Sequence, residues 1–520
     1  MNRTRWVGLF TALVAAMMGS RLLRWPMESY GDSAAQYIEH LARLRMLERI
    51  REGLPAGPLE ALKALDGLYP PGLHLVELAW GGIFGHGAEA VLWLGFVWWL
   101  LLCGAVAKLA QHLAPDVEGV FGTAFLATAL VPALQATALR SYYDLPMTAL
   151  LWLSMAVVTS GLAWRGVLAG LCLVGAVLIK WTALPFGVVM MLSLVGVQGR
   201  SIVRPVMSAL SLMLLWSVVF IGVGAESFST MGGATFQPAP GVSVAGAEGP
   251  ARWLAVAMAN MSQWDLERLL FYPWRLVATV LSPVGALVVG WAVLRGWAHV
   301  RPALRLVVLV GLGQVAFLLL LVPIQDDRFI LTLAPGLALL AALGLRGSTR
   351  RVAVAAMLLV AADAHLWTPA TTAGDGDPWP ASRDGKAWSP RLGMSSSVDR
   401  RGWSRSTDMR DDKTAERARL WSAIVGCGGG VVDAPERLLT PTGDLNWWTY
   451  RRTLAVLNGD AVSAVWRGEP GAGERPPQIW VGSGSPGPDS RSGPPGGWHT
   501  LTSGAWRLAT PRPCALPDDG

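Results

Sequence analysis

Nine stretches of this chain, at 6–23, 88–110, 117–138, 145–163, 205–224, 276–294, 304–322, 329–346 and 351–366, are apolar over lengths that suit a bilayer. A helix crossing the hydrocarbon core needs roughly 17–25 such residues. No other feature restricts the fold so tightly, because in lipid every backbone polar group must be paired and runs like these become helices. Composition agrees: 52% of residues are hydrophobic and only 15% charged, against about 25% charged in a soluble protein. The 26 tryptophans against 7 tyrosines suit a chain with many membrane interfaces, where amphipathic rings settle. A net charge of +7 is read as loop arginines beside a membrane, not as a nucleic-acid surface. The fold class is therefore an α-helical polytopic membrane protein.

A tenth stretch, 166–198 (GVLAGLCLVGAVLIKWTALPFGVVMMLSLVGVQ), is too long for one helix and short for two at about 1.5 Å per residue. Orientation decides. Two spans put Arg200 and Arg204, then Arg295, Arg301 and Arg305, then Arg346, Arg350 and Arg351 on the side of Arg3 and Arg5. One span throws these clusters to the opposite side, against the positive-inside tendency. Two short helices meeting near Lys180 to Pro185 are thus expected. That gives about eleven transmembrane helices, with the N-terminus cytoplasmic and the C-terminus extracytoplasmic or periplasmic, in a bacterial-type inner membrane. Segment 6–23 is kept as a span because Arg21 and Arg24 follow it where a cleavable signal would have small residues.

Residues 1–366 form the membrane domain, with large outer regions at 24–87 and 225–275. The first carries an amphipathic pattern from Ala34 to Arg51 and an apolar segment after Tyr69-Pro70-Pro71; the second ends in the helical pattern ARWLAVAMANMSQWDLERLLF. Residues 367–415 read as a partly disordered linker, and 416–520 as a small soluble outer domain of mixed helix and strand. Its Cys427 and Cys514 form an even pair in an oxidising compartment, so one bridge is expected there.

The same parity places Asp32, Asp144, Lys180, Asp326, Asp327 and Arg328 on the outer face. Charges at span ends are functional candidates because desolvating them is costly. Each also has a plainer reading. Asp144 pairs with Arg140, Lys180 snorkels to the headgroups, Asp326–Arg328 is a solvated turn, Asp32 caps a helix, and His74 and Glu77 are packing residues. The sequence has no HExxH, CxxC, Walker A, GxGxxG or GxSxG context, which removes support for nucleotide-driven transport and serine hydrolysis.

The order of motifs, Asp32 with Tyr37, then YPPGLHL, YYDLPMTALLWLSMA, GVLAGLCLVGAVLIKWTALP and DDRFILTLAPGLALLAALGL, resembles the GT-C membrane glycosyltransferases. The likeness lies in the protein O-mannosyltransferase-like and lipid A aminoarabinose transferase-like branch. It implies an inverting transfer of a hexosyl or pentosyl group, at the outer leaflet, from a polyprenyl-phosphate-linked sugar to a hydroxyl on a lipid, glycan or protein. It further implies Asp32 as general base, Asp144 as an orienting or supporting carboxylate, and Lys180 and Arg328 on the donor phosphate. Tyr37, Tyr143 and His74 are assigned to substrate binding. Many relatives have Asp-Glu where this chain has Asp32-Ser33, so no cofactor is fixed and a divalent metal stays open. A secondary transporter or lipid-carrier flippase is the competing class. Its charges would belong at the midplane in repeated halves, and no repeat is visible. An inactive GT-C scaffold is the third.

Overall fold

The structure, a computed structural model, describes residues 66, 69–85, 88–138, 143–222, 249–262, 266–281, 283–322, 327–345, 351 and 355. In the tail it describes 431–433, 437–440, 443–446, 465–466, 479–483, 497, 499–503 and 506–511. Asp32, Tyr37, Asp326, Cys427 and Cys514, the 6–23 span, the Ala34–Arg51 pattern and the 367–415 linker lie outside the described residues, as does nearly all of 351–366. The chain divides into two compact units, one of Met1–Trp25, Arg43–Gly85 and Ala90–Ser404 and the other of Pro26–Ala42, His86–Glu89 and Arg405–Gly520.

Thirteen α-helices are described between Gly72 and Leu345. They are α1 Gly72–Phe84, α2 Ala88–Leu113, α3 Val120–Ala129, α4 Pro132–Ala138, α5 Asp144–Val158, α6 Arg165–Ile179, α7 Ala183–Gln198, α8 Val203–Gly222, α9 Gly249–Met261, α10 Leu266–Arg275, α11 Pro283–Arg295, α12 Trp297–Leu321 and α13 Ala334–Leu345. A π-helix, Leu276–Leu281, precedes α11, and a 3-10 helix, Asp327–Leu333, precedes α13. Among the described residues, only Ala90–Leu113, Trp297–Leu321 and the run Ala183–Gly222 are long and apolar enough to cross a bilayer by themselves; the other apolar helices there have 10–17 residues.

Prolines explain most of the interruptions. The stretch 117–138 read as one span is two helices, because Pro132 has no N–H to continue α3 and instead opens α4. Pro283 separates the π-helix from α11 in the same manner. The expected break in 166–198 is present: α6 stops at Lys180, which is extended (φ −154°, ψ 128°), and α7 starts at Ala183 with Pro185 in its first turn, where a missing donor is harmless. The 40-residue run 183–222 is itself a hairpin, turned by the short 3-10 helix Gly199–Ile202.

Facing residues fix the directions of the helices. Gly187 of α7 faces Leu173 of α6, Met213 of α8 and Leu151 of α5, while Gly175 of α6 faces Leu150. Gly313 of α12 faces Val189, and Gly196 faces Leu309. Helices α5, α7 and α8 thus alternate about α6, with α8 parallel to it and α12 antiparallel to α7. Lipid tails supply no hydrophobic drive between helices, so close approach of small residues must hold them. Gly166 and Gly170, spaced as GxxxG, provide it: a methyl at Gly166 would sit 2.9 Å from the Pro205 carbonyl oxygen, and one at Gly170 2.9 Å from Leu212 Cδ2.

The directions sort the charges. The turns joining α5 to α6, α7 to α8 and α11 to α12 gather at one end of the helices, carrying Arg165, Arg200, Arg204, Arg295, Arg301 and Arg305. All but Arg165 are exposed. The starts of α5 and α7 and the finish of α6 and α12 lie at the other.

In the second unit, β1 Val431–Asp433, β4 Val465–Trp466, β5 Ile479–Ser483, β6 His499–Ser503 and β7 Trp506–Thr510 form a sheet of order β4-β1-β5-β7-β6. Strand β1 is parallel to both β4 and β5, with Val432 opposite Ile479; β7 is antiparallel to β5 and β6, with Leu508 opposite Val481 and Leu501. Strands β2 Arg437–Thr440 and β3 Gly443–Asn446 form a separate antiparallel pair.

Candidate functional site

Helices α5 and α6 are joined by the short turn around Thr159–Trp164 and run antiparallel, so the first residue of one comes level with the residue that ends the other. Those residues are Asp144 and Lys180. Their side chains meet at 2.7 Å between Nζ and Oδ1, with Asp144 2% and Lys180 8% exposed. Lys180 therefore turns to a carboxylate instead of snorkelling. Helix ends favour this arrangement: Asp144 lies in the first turn of α5, where the helix dipole is positive, and Lys180 is the C-terminal cap of α6, where it is negative. The break at Lys180–Thr182 leaves the lysine on extended backbone, free of a following helical turn.

The 3-10 helix closes over the same place. The Phe329 ring centroid lies 5.2 Å from Lys180 Nζ, a cation–π contact. Arg328 precedes Phe329 in this helix, so its backbone is brought to the same end as Lys180; its side chain lies outside the described residues, as does that of Asp327. Farther along the helix, Thr332 donates from Oγ1 to Gln314 Oε1 at 2.6 Å, and its carbonyl accepts from Trp152 Nε1 at 2.9 Å. This network ties α5, α12 and the 3-10 helix together beneath the ion pair. Its signal in the sequence is Gln314, a lone amide in the apolar run GLGQVAFLLLL. Sequence reasoning passed over it, and over Phe329.

A second polar group adjoins the first. Helix α1 presents His74 and Glu77 on one face, three residues apart, with Nδ1 3.0 Å from Glu77 Oε2. The other ring nitrogen, Nε2, lies 2.7 Å from the hydroxyl of Tyr143. Tyr143 also stacks on Tyr69, with centroids 4.2 Å apart. His74, Glu77 and Tyr143 are 1%, 2% and 1% exposed. His74 and Tyr143, read from the sequence as substrate-binding, turn polar atoms to each other, and Glu77, read as a packing residue, is part of the same chain of contacts.

Of the residues singled out in the sequence, the structure thus brings together Asp144 and Lys180, with His74 and Tyr143 beside them and Arg328 in the adjoining 3-10 helix. Among the described residues no group of three or more His, Cys, Asp and Glu side chains is arranged to hold a metal ion.

No protein-family model matches the chain, and no curated protein sequence matches it. Solved structures do. The crystal structure of ArnT from Cupriavidus metallidurans bound to undecaprenyl phosphate matches with a TM-score of 0.62 at 15% identity, covering 98% of each chain. The apo structure of the same protein matches with a TM-score of 0.57 at 14% identity, again over 98% of each chain. ArnT is a lipid A aminoarabinose transferase of the GT-C class. The likeness anticipated from the motif order is met at the level of the fold: this is a GT-C-like α-helical membrane fold.

Proposed function

We propose that the chain is a membrane glycosyltransferase that moves a hexosyl or pentosyl group from a polyprenyl-phosphate carrier to a hydroxyl acceptor, with inversion at the anomeric carbon. The observation that carries this reading is the buried Asp144–Lys180 pair, with Arg328 on the adjoining helix, in a fold that in ArnT has been crystallised with undecaprenyl phosphate.

In this reaction the acceptor oxygen forms a bond to the anomeric carbon while the bond from that carbon to the phosphate oxygen breaks. Asp32 takes the acceptor's proton. The carrier leaves as a phosphate monoester with one more negative charge than the diester it came from. Fixed cations aimed at that developing charge lower the barrier, and Lys180 and Arg328 are the residues for it. Asp144 aims Lys180 through the 2.7 Å ion pair, a supporting part, and Tyr37, five residues after Asp32 in the sequence, is assigned to substrate binding. Hydrolysis of the donor is avoided to the extent that water is excluded, and burial of the pair supports this. A divalent metal is not required by any step.

The accompanying topology has about eleven spans, the arginine-bearing turns in the cytoplasm and the Asp144–Lys180 end facing out. Residues 1–366 are the catalytic domain and 416–520 an extracytoplasmic one, in a bacterial inner membrane. Support comes from the grouping of arginines at the end of the helices opposite Lys180.

The test is reconstitution of the purified protein in liposomes with radiolabelled polyprenyl-phosphate sugars and lipid, glycan and peptide acceptors. Label should move to one acceptor class in the wild type and not in Lys180→Ala. Movement of intact donor across the bilayer without sugar transfer would refute the reading in favour of a flippase.

A further inference from the structure

Helix α1 meets the flank of each partner of the ion pair, at Leu178 before Lys180 and at Tyr143 before Asp144. At its first residue, Gly72 lies so close to α6 that a methyl there would be 2.7 Å from the carbonyl oxygen of Leu178, two residues before Lys180. Two residues on, His74 holds the hydroxyl of Tyr143, the residue before Asp144, and is itself held by Glu77. Tyr143 is then held between two neighbours: His74, which takes its hydroxyl and meets its ring edge-on at 5.7 Å, and the stacked Tyr69 ring.

A carboxylate, an imidazole and a phenol buried together are costly where an apolar trio would fill the same space. None of the three presents enough surface for a substrate to reach. We propose that Glu77, His74 and Tyr143 are a positioning relay, through which α1 sets the geometry of Asp144 against Lys180. The carboxylate fixes which imidazole nitrogen carries a proton and the ring's orientation, the imidazole fixes the phenol, and the phenol fixes the first turn of α5 that Asp144 belongs to. This is how outer partners orient ligands at metal sites, applied here to a lysine. His74 and Tyr143 are accordingly positioning residues that act through Asp144. The inference rests on the proposed donor-phosphate role of the pair for its catalytic consequence, and not for its geometry.

The experiment uses the full chain, purified in detergent. Lys180 is labelled with acetic anhydride and its modification rate read by peptide mass spectrometry, with exposed Lys108 as the internal reference. The variants are Tyr143→Phe, which keeps the ring stack and removes the hydroxyl, and Glu77→Gln, with Asp144→Asn as the variant that breaks the pair outright. Both relay variants should speed Lys180 labelling by about tenfold, what the loss of one buried hydrogen bond releases, while Lys108 is unaffected. In the transfer assay kcat should fall about 10–100-fold with the acceptor KM nearly unchanged. Wild-type labelling of Lys180 in both relay variants would overturn the proposal, as would a raised acceptor KM with kcat kept, the signature of direct substrate contact. If the wild type transfers no sugar, the proposed function fails while the labelling result still decides the relay.

Discussion

Removing Lys180 should destabilise this protein more than removing its partner, and removing both should cost least. In Lys180→Met the Asp144 carboxylate, 2% exposed, is left buried without its cation. Breaking a buried pair this way typically costs about 3–5 kcal/mol. An independent ceiling comes from proton uptake, since at neutral pH neutralising a carboxylate of ordinary acidity costs about 4 kcal/mol, roughly three units at 1.36 kcal/mol each. The positive end of α5 returns only about 0.3–1 kcal/mol, so about 3–4 kcal/mol is expected. Asp144→Asn leaves the amine, but a lysine stem is long and Lys180 is already 8% exposed, so it can swing toward water; about 1–3 kcal/mol is expected there. The double variant removes both charges and should cost at most about 1 kcal/mol. The assay is SDS-titrated unfolding followed by fluorescence of the 26 tryptophans, as a double-mutant cycle. If the two single costs add in the double variant within about 0.5 kcal/mol, the side chains do not interact as a unit and the reasoning is wrong.

Three further outcomes are expected. Asp32→Asn should lose about 10²–10⁴-fold in turnover, the usual worth of a positioned base, with donor affinity retained; near-normal transfer would reduce Asp32 to a helix cap, because Asn caps about as well. Gly166→Leu should destabilise by at least about 1–3 kcal/mol, the usual cost of overpacking, since its first methylene already meets the Pro205 carbonyl; an unshifted Tm and monodisperse elution from size exclusion would contradict the close α6–α8 contact. Alkaline phosphatase fused after residue 366 should be active in a bacterial host; activity only from a cytoplasmic reporter there would invert the topology.

The break at Lys180 was legible because 166–198 is incompatible with a single helix and carries Pro185 where a second one would start. The convergence of Asp144 and Lys180 on one end was legible from counting spans. Their pairing was not, because it depends on the α5–α6 register, and a turn that ended one residue later would bring a different neighbour opposite Asp144. The plainer readings looked four residues back to Arg140 or out to the headgroups, where sequence neighbourhood and side-chain length point. His74 and Glu77 fit an apolar pattern by spacing, and the arrival of Tyr143 from 69 residues away, which sequence spacing does not show, draws them into a polar chain. In 117–138 the hydropathy is continuous while the helix is not, and the interruption was legible in Pro132. Gln314 carried a usable signal, an amide amid leucines that must find a partner, and Thr332 supplies it.

The ion pair also has a sense of direction. Two antiparallel helices present opposite poles at any one level, and Asp144 and Lys180 each occupy the pole that suits their sign. Exchanging them, aspartate for lysine and lysine for aspartate, would preserve the attraction between the two side chains yet set each against its own helix, a reversal worth about 1–4 kcal/mol over two ends. The site is therefore polarised by the backbone before any ligand arrives, with the negative pole of α6 set on the lysine and the positive pole of α5 on the aspartate.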